Sequence, residues 1–392
     1  MNKLVFVHDH PFFLDVDNMV YSGGGLPSSV WDNYLKNFQK VLVIGRESNE
    51  NKNKRIISSK NRVSFHLTKN YSSTFSFFKN YFKIQKEIEK GIVDADVVLV
   101  RLPSVLGFVA AKVAFSKSKP VWVEQVGNAK EAMDSHGSFL GKLSANIFHR
   151  INREIIKKTH FVSYVTQKKL QTDYPCSSLA IQLSASNVII QEIIEEEQLS
   201  RDFYNSQLLK IGLLGGFDAK YKGQDVLLKA IALLPDDIKE NIELYFAGKG
   251  DYSWVMDLAK SLNLDKNIKF IGSLQAGEEV NCFLDSLSLY VQPSLTEGMP
   301  RATIEAMSRG CPVIGSDVGG IPDIVNEKFV HSRGSFKELS VQIEFLYKNR
   351  NVLFEEAKSS LKKAQPYLKE RLDEKRKLFY QQMNQILNDR EN

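Results

Sequence analysis

Two glutamates separated by seven residues, Glu297 and Glu305, flank a helix start in Ser294-Leu-Thr-Glu-Gly-Met-Pro-Arg-Ala-Thr-Ile-Glu-Ala-Met-Ser-Arg-Gly310. Leu287-Ser-Leu-Tyr-Val-Gln292 ahead of them reads as a short buried strand. Gly298 allows a sharp turn, Pro300 suits the first helical position, where its missing N–H costs nothing, and Gly310 stops the helix. A strand, a glycine turn and a helix with free N–H groups form an anion site at the carboxyl edge of a parallel sheet, and a diphosphate is its natural guest. Glu305 falls in the second turn among Ile304, Ala306 and Met307, a partly dry setting in which a carboxylate needs donors. The adjacent hydroxyls of a ribose would supply them. Glu297, ahead of the helix, can accept from a sugar hydroxyl and stabilise positive charge growing at an anomeric carbon. The plainer alternative is that Glu297 caps the helix and Glu305 is a solvated charge.

The form Glu-Gly-Met-Pro-x-x-x-x-Glu-Ala-Met, followed by Pro312-Val-Ile-Gly-Ser-Asp-Val-Gly-Gly-Ile-Pro322, resembles the family 4 retaining glycosyltransferases of GT-B fold. The resemblance implies an α/β chain of two Rossmann-like parallel-sheet domains facing across a cleft, with a C-terminal helix crossing back. It implies that Glu305 binds the ribose of a nucleotide sugar, and that Glu297, with the backbone of Gly298, Met299, Pro300 and Arg301, faces sugar and diphosphate. Lys222 matches the lysine of the family's Lys-Gly pair, whose charge neutralises the leaving diphosphate. The family's arginine position is Phe217 here, and Lys220 is the candidate to supply the missing charge. Ser273 and Leu274 are expected to bring backbone to the nucleobase. Gly24 and Gly25, in the glycine-rich loop after the first strand, resemble the loop that approaches the diphosphate from the amino-terminal domain.

After the strand ending at Glu124 the family commonly places a histidine near the reacting sugar; this chain has Glu124-Gln-Val-Gly-Asn-Ala129. Glu124, Gly127 and Asn128 are then expected to form the facing wall, with Asn128 as the catalytic candidate and His136 as a substitute for the histidine. Gly319, Gly320 and Asp323 close the far side of the site or merely make a turn.

The elements that must carry these residues alternate. Leu4-Val-Phe-Val7, Lys40-Val-Leu-Val-Ile-Gly45, Asp96-Val-Val-Leu-Val100, Pro120-Val-Trp-Val-Glu124 and Phe161-Val-Ser-Tyr-Val-Thr166 read as strands of a first sheet. A second set follows in Leu208-Leu-Lys-Ile-Gly-Leu-Leu-Gly-Gly216, Ile242-Glu-Leu-Tyr-Phe-Ala-Gly248, Ile268-Lys-Phe-Ile-Gly272, residues 287–291 and Pro312-Val-Ile-Gly315. At 392 residues the chain is too long for one ordinary core. We place an acceptor-side domain at residues 1–200, a nucleotide-sugar domain at 201–365 and a returning helix at 366–392, with the linker in the acidic stretch 195–207. Residues 8–27 read as a long loop, and the basic final helix as a solvated face without a strong apolar stripe.

An apolar content of 43% and a charged content of 25% are those of a globular protein. The net charge of +6 permits loose attraction to nucleotides or an anionic membrane, so peripheral membrane contact is allowed while nucleic acid is not called for. Three scattered cysteines fit a reducing cytoplasm, at most the inner face of the membrane, and no apolar run is long enough to span a bilayer. There is no Walker motif, and Gly248-Lys-Gly250 has too few glycines for a dinucleotide fingerprint.

The expected activity is transfer of a sugar, with retention, from a nucleotide-diphosphate sugar of the UDP or GDP type to a glycan or lipid-linked saccharide, with no metal and no cofactor besides the donor. Cell-surface polysaccharide assembly is the family's most frequent setting. Two rivals stand beside it. A non-catalytic GT-B partner or scaffold is suggested by the missing arginine and histidine. A metal-dependent hydrolase is suggested by His8-Asp-His10, and Asp15-Val-Asp17 has the form of a metal-binding motif.

Overall fold

The computed structural model describes residues 1–23, 25–48, 56–69, 74–134, 139–218 and 220–391. They form two compact units: Met1–Val165 with Leu170–Ala185 and Lys375–Asn392, and Thr166–Lys169 with Ser186–Glu374.

The first unit is built on the apolar runs read above. Strands β1 (Lys3–Leu14), β2 (Val20–Ser22), β3 (Lys40–Glu47), β4 (Ile56–Ile57), β5 (Val63–Thr68), β6 (Val97–Leu102), β7 (Val121–Gln125), β8 (Phe161–Tyr164) and β9 (Ile181–Ser184) share one sheet. Its parallel part runs β5-β3-β1-β6-β7-β8-β9, so the order reverses between β1 and β6. Residues 8–14, expected as loop, continue β1. Their register against β3 shifts between Val7 and Pro11, and their end pairs antiparallel with β2, which pairs β4. The cause is packing: Phe12 and Phe13 are buried, and the Phe12 ring meets Phe65 at 5.4 Å.

The second unit holds β10 (Leu209–Leu214), β11 (Ile242–Ala247), β12 (Ile268–Gly272), β13 (Leu289–Gln292), β14 (Val313–Ser316) and β15 (Val330–His331), all parallel in the order β12-β11-β10-β13-β14-β15. This order reverses between β10 and β13. In an open α/β sheet, ligands sit beyond the carboxyl ends of the strands at such a reversal, because the connections leave to opposite faces and open a crevice there.

The acidic stretch expected as a linker belongs to the second unit. Within it Tyr204 is buried and donates its hydroxyl to Gly310 O at 2.9 Å, and just before it Val188 and Ile190 are buried. The last helix, Lys369–Glu391, joins the first unit from Lys375 onward. It carries a narrow apolar stripe after all: Phe379, Tyr380 and Met383 are buried, Phe379 meets Trp122 at 5.4 Å, and Tyr380 donates to Asn33 O at 3.2 Å. No described helix is long and apolar enough to cross a membrane.

Candidate functional site

The loops after β10 and β13 hold most of the expected donor-side residues. After β10, the N–H of Gly215 donates to Ala247 O (2.8 Å) and that of Phe217 to Lys249 O (2.7 Å), which lays the loop along the end of β11. The chain turns through Lys220–Lys222 and enters the helix Gln224–Ala232 at Gly223, whose φ is 82°. Only glycine fits there, since a Cβ would lie 2.1 Å from Pro293 O. That close approach brings Lys222 to the loop after β13. Its Nζ donates to Glu297 Oε1 at 2.7 Å, its stem packs over Gly215, and the two side chains are 23% and 9% exposed.

Glu297 Oε1 also accepts from Ser294 Oγ (2.8 Å) and Gln292 Nε2 (3.3 Å). The turn beyond it is backed by the glycine pair. The N–H of Gly320 donates to Gly298 O at 2.7 Å, and a Cβ on Gly319, whose φ is 54°, would lie 2.3 Å from Glu297 O. Gly319→Ala is therefore expected to cost about 2 kcal/mol of stability and to displace Glu297. Thermal unfolding and donor affinity check this together; a variant matching the wild type in both would show that the turn yields freely.

Pro300 occupies the N-cap of the helix Arg301–Ser308 instead of its first helical position, and no side chain caps it. The first N–H groups of this helix are thus left to an outside acceptor. Glu305 is half-buried one turn further on, and no described group hydrogen-bonds its carboxylate. Burial pushes its pKa up, against the opposing charge of Arg301. The charges of Glu297 and Glu305 both act on the Tyr290 hydroxyl, whose pKa is raised first by burial and then by these carboxylates.

Phe217, at the family's arginine position, is 1% exposed, with Phe270 at 5.7 Å and Tyr252 at 5.9 Å. Its place in the loop is structural. Lys220 is exposed, and its Nζ lies over the Trp254 ring at 5.3 Å instead of joining the Lys222 pair. Ser273 and Leu274 follow β12 through Gly272, whose φ is 81°; Ser273 is exposed and Leu274 packs on the core. Asp323 closes a turn, its N–H donating to Gly320 O at 3.3 Å, and its carboxylate accepts from the backbone N–H of Gln167, Lys168 and Lys169 at 2.9 to 3.1 Å.

In the first unit the polar residues serve the scaffold. Asn128 Oδ1 accepts from the N–H of Lys130 (2.8 Å) and Glu131 (3.3 Å) and from the Tyr174 hydroxyl (3.1 Å), while Nδ2 donates to Asp173 (2.7 Å). The geometry makes it the cap of the helix Ala129–Asp134, with its side-chain amide engaged within the unit. Glu124 is buried in the sheet, paired with Arg101 at 3.2 Å and accepting from Tyr34 at 3.4 Å, so it does not form an open wall. Gly25 lies against the His10 ring, 3.1 Å from a Cβ position to Cε1. Gly24 and His136 lie outside the described residues.

The histidines of the metal reading are separated by their neighbours' work. Asp9 caps the helix Val105–Ser116 through the N–H groups of Val105 and Leu106, and His10 Nε2 lies 2.7 Å from Ser22 Oγ. Burial, followed by the charge of Arg101, pushes His8 down to about 3 and His10 to about 4. Asp15 accepts from the N–H of Asp17 (3.0 Å) and Met19 (2.7 Å), the mark of a turn. Among the described residues no group of three or more metal-ligating side chains comes together.

The second unit thus offers a fixed cation, a helix start without a side-chain cap and a carboxylate with no partner among the described residues, a set suited to a diphosphate and a diol. The profile described as "Glycosyl transferases group 1" matches residues 209–365, which include all of these groups. Protein CapJ of Staphylococcus aureus is 35% identical over 353 residues, covering 90% of this chain and 86% of CapJ. The chain belongs to the group 1 glycosyltransferases. Membership decides for a transferase enzyme over both rival readings. This glycosyltransferase also shares 39% identity over 103 residues with the capsular polysaccharide biosynthesis glycosyltransferase CapH of Staphylococcus aureus, covering 25% of this chain and 27% of CapH. Its fold matches Anabaena HepE, crystallised with UDP, at a TM-score of 0.63 and 15% identity over 99% of this chain and 100% of that one. Residues of the glycosyltransferase that sequence reasoning passed over are Tyr290, Gln292 and Ser294. Their alternation along an otherwise apolar strand was the available signal.

Proposed function

We propose that the glycosyltransferase moves a sugar, with anomeric retention, from a nucleotide-diphosphate sugar of the UDP or GDP type to a glycan or lipid-linked saccharide. The setting would be cell-surface polysaccharide assembly on the cytoplasmic side of the membrane. The observation that carries this reading is the meeting of the Lys222–Glu297 pair with the uncapped Arg301–Ser308 helix and the unpaired Glu305 carboxylate. The names of CapJ and CapH and the UDP bound to HepE support it, as do free cysteines at Cys176, Cys282 and Cys311 for a reducing compartment.

In this reading Lys222 and the N–H groups of the helix start take up the charge of the departing diphosphate, Glu305 holds the ribose, and Glu297 orients the sugar. Glu297 Oε1 is saturated by three donors, so this carboxylate serves as a fixed acceptor for a sugar hydroxyl.

Calorimetric titration with uridine, guanosine and adenosine diphosphates, followed by assay of diphosphate release from the matching sugar donors, tests the reading. Binding of the first or second, with slow release in the absence of acceptor, is the expected result. A protein that binds none and turns over none would sink it. Retention is tested separately: a product linkage opposite in anomeric configuration to the donor rules it out.

A further inference from the structure

Behind Glu297 runs a buried chain of polar groups that no catalytic role yet explains. The N–H of Leu214, at the end of β10, donates to the Tyr290 hydroxyl oxygen at 3.4 Å. Tyr290 donates to Gln292 Oε1 at 2.7 Å, Gln292 Nε2 donates to Ser294 Oγ at 2.8 Å and to Glu297 Oε1 at 3.3 Å, and Ser294 donates to Glu297 Oε1 at 2.8 Å. Tyr290, Gln292 and Ser294 are all buried.

The direction of this chain is set from its far end. A backbone N–H can only donate, so the Tyr290 oxygen accepts there and its proton points to Gln292. The amide must then present its oxygen to Tyr290 and its N–H groups to Ser294 and Glu297. The chain ends with two donors, Gln292 Nε2 and Ser294 Oγ, on the same oxygen of Glu297, and linked hydrogen bonds reinforce one another in a dry site.

We propose that Gln292, oriented by Tyr290 and acting with Ser294, is a positioning residue that anchors Glu297 Oε1 while Lys222 exchanges it for the donor diphosphate. Were Lys222 the sole partner of a carboxylate this buried, turning away to the diphosphate would strand the charge. The two neutral donors remove that penalty: Lys222 is free to turn, and Glu297 keeps its other oxygen aimed at the sugar. The proposal rests on the donor-site reading above.

The test uses the full chain and the nucleoside diphosphate that binds the wild type. Gln292→Leu and Ser294→Ala are expected to lower kcat by about 10-fold or more and to weaken the nucleoside diphosphate by about 3-fold or more, an affinity loss that vanishes in the Lys222→Ala background, where no cation has to leave Glu297. Tyr290→Phe, which keeps the packing, lowers kcat and affinity less. The same affinity loss in the Lys222→Ala background would mean general loosening of the unit and overturn the proposal, as would an unchanged kcat. Should Gln292→Leu behave as wild type while Glu305→Ala loses the donor, the positioning role falls and the donor site stands. A wild type that binds no nucleoside diphosphate removes both.

Discussion

Replacing Glu305 by alanine is expected to lower kcat/KM for the nucleotide-sugar donor by about 10²- to 10³-fold with little change in unfolding temperature. The carboxylate is half-buried and bonds to no described group, so the folded chain already bears its desolvation and gains nothing back until a ligand arrives. Two charge-assisted hydrogen bonds to a ribose diol, at about 1.5–2 kcal/mol each, account for that range. The pH dependence has a definite sign. Burial raises the pKa of Glu305, so on acidification it takes up a proton earlier than an ordinary glutamate and loses acceptor capacity. Donor affinity should fall as pH drops through this raised value, and Glu305→Gln should lack that limb of the profile. Stability runs the other way: a carboxyl with a raised folded pKa costs stability as pH rises from its unfolded through its folded value, so the glutamine variant is expected to be at least as stable as the wild type at neutral pH. Kinetics and thermal melts of both variants, measured across pH, check this. An alanine variant with wild-type kcat/KM would remove Glu305 from the site.

Lys222→Ala is expected to lower kcat by a comparable factor, about 10²- to 10³-fold, since one preorganised donor aimed at developing charge is worth about 3–4 kcal/mol in the transition state. Unlike the Glu305 change, it should also destabilise. Glu297 is 9% exposed and would keep its charge while losing its cation, though Gln292 and Ser294 still donate to it. Because Lys222 is itself 23% exposed, the loss should be nearer 1–2 kcal/mol than the larger cost of breaking a fully buried pair. The double variant Lys222→Ala with Glu297→Gln separates the two effects: stability should return toward wild type while activity stays low. A double variant no more stable than Lys222→Ala alone would show that the pair is not what couples them.

The strands of both sheets were legible because fully buried parallel strands must be short apolar runs, and Leu4–Val7, Val97–Val100 and Leu289–Val291 are nothing else. The tail of β1 was not. His8-Asp-His10-Pro reads as a loop, and it is a strand because Phe12 meets Phe65 of β5 and Phe13 is buried too, a long-range fact no local pattern contains. The stretch 195–207 belongs to the second unit for the same reason, since an acidic run looks like a linker until Tyr204 within it, and Val188 and Ile190 just before it, are seen covered. Asn128 shows what the sequence left out: a polar residue just after a buried strand reads as a catalytic candidate, and the structure adds that the helix beginning beside it uses its side-chain oxygen as a cap.

By itself, the order of residues determined the two-sheet α/β plan, the helix start between Glu297 and Glu305, and the glycines that let backbone pass close, because these depend on periodicity and φ that each residue type permits locally. Tertiary structure alone decided who partners whom: that Lys222 places its charge on Glu297, that Glu305 has no partner among the described residues, that Phe217 is core and Lys220 sits over Trp254. Those pairings join residues tens of positions apart in the chain: the Lys222–Glu297 pair is set by where β10 and β13 lie side by side at the strand reversal, and the Phe217 and Lys220 contacts by β11 and β12 on the other side of β10, neighbourhoods that exist only once the sheet is assembled.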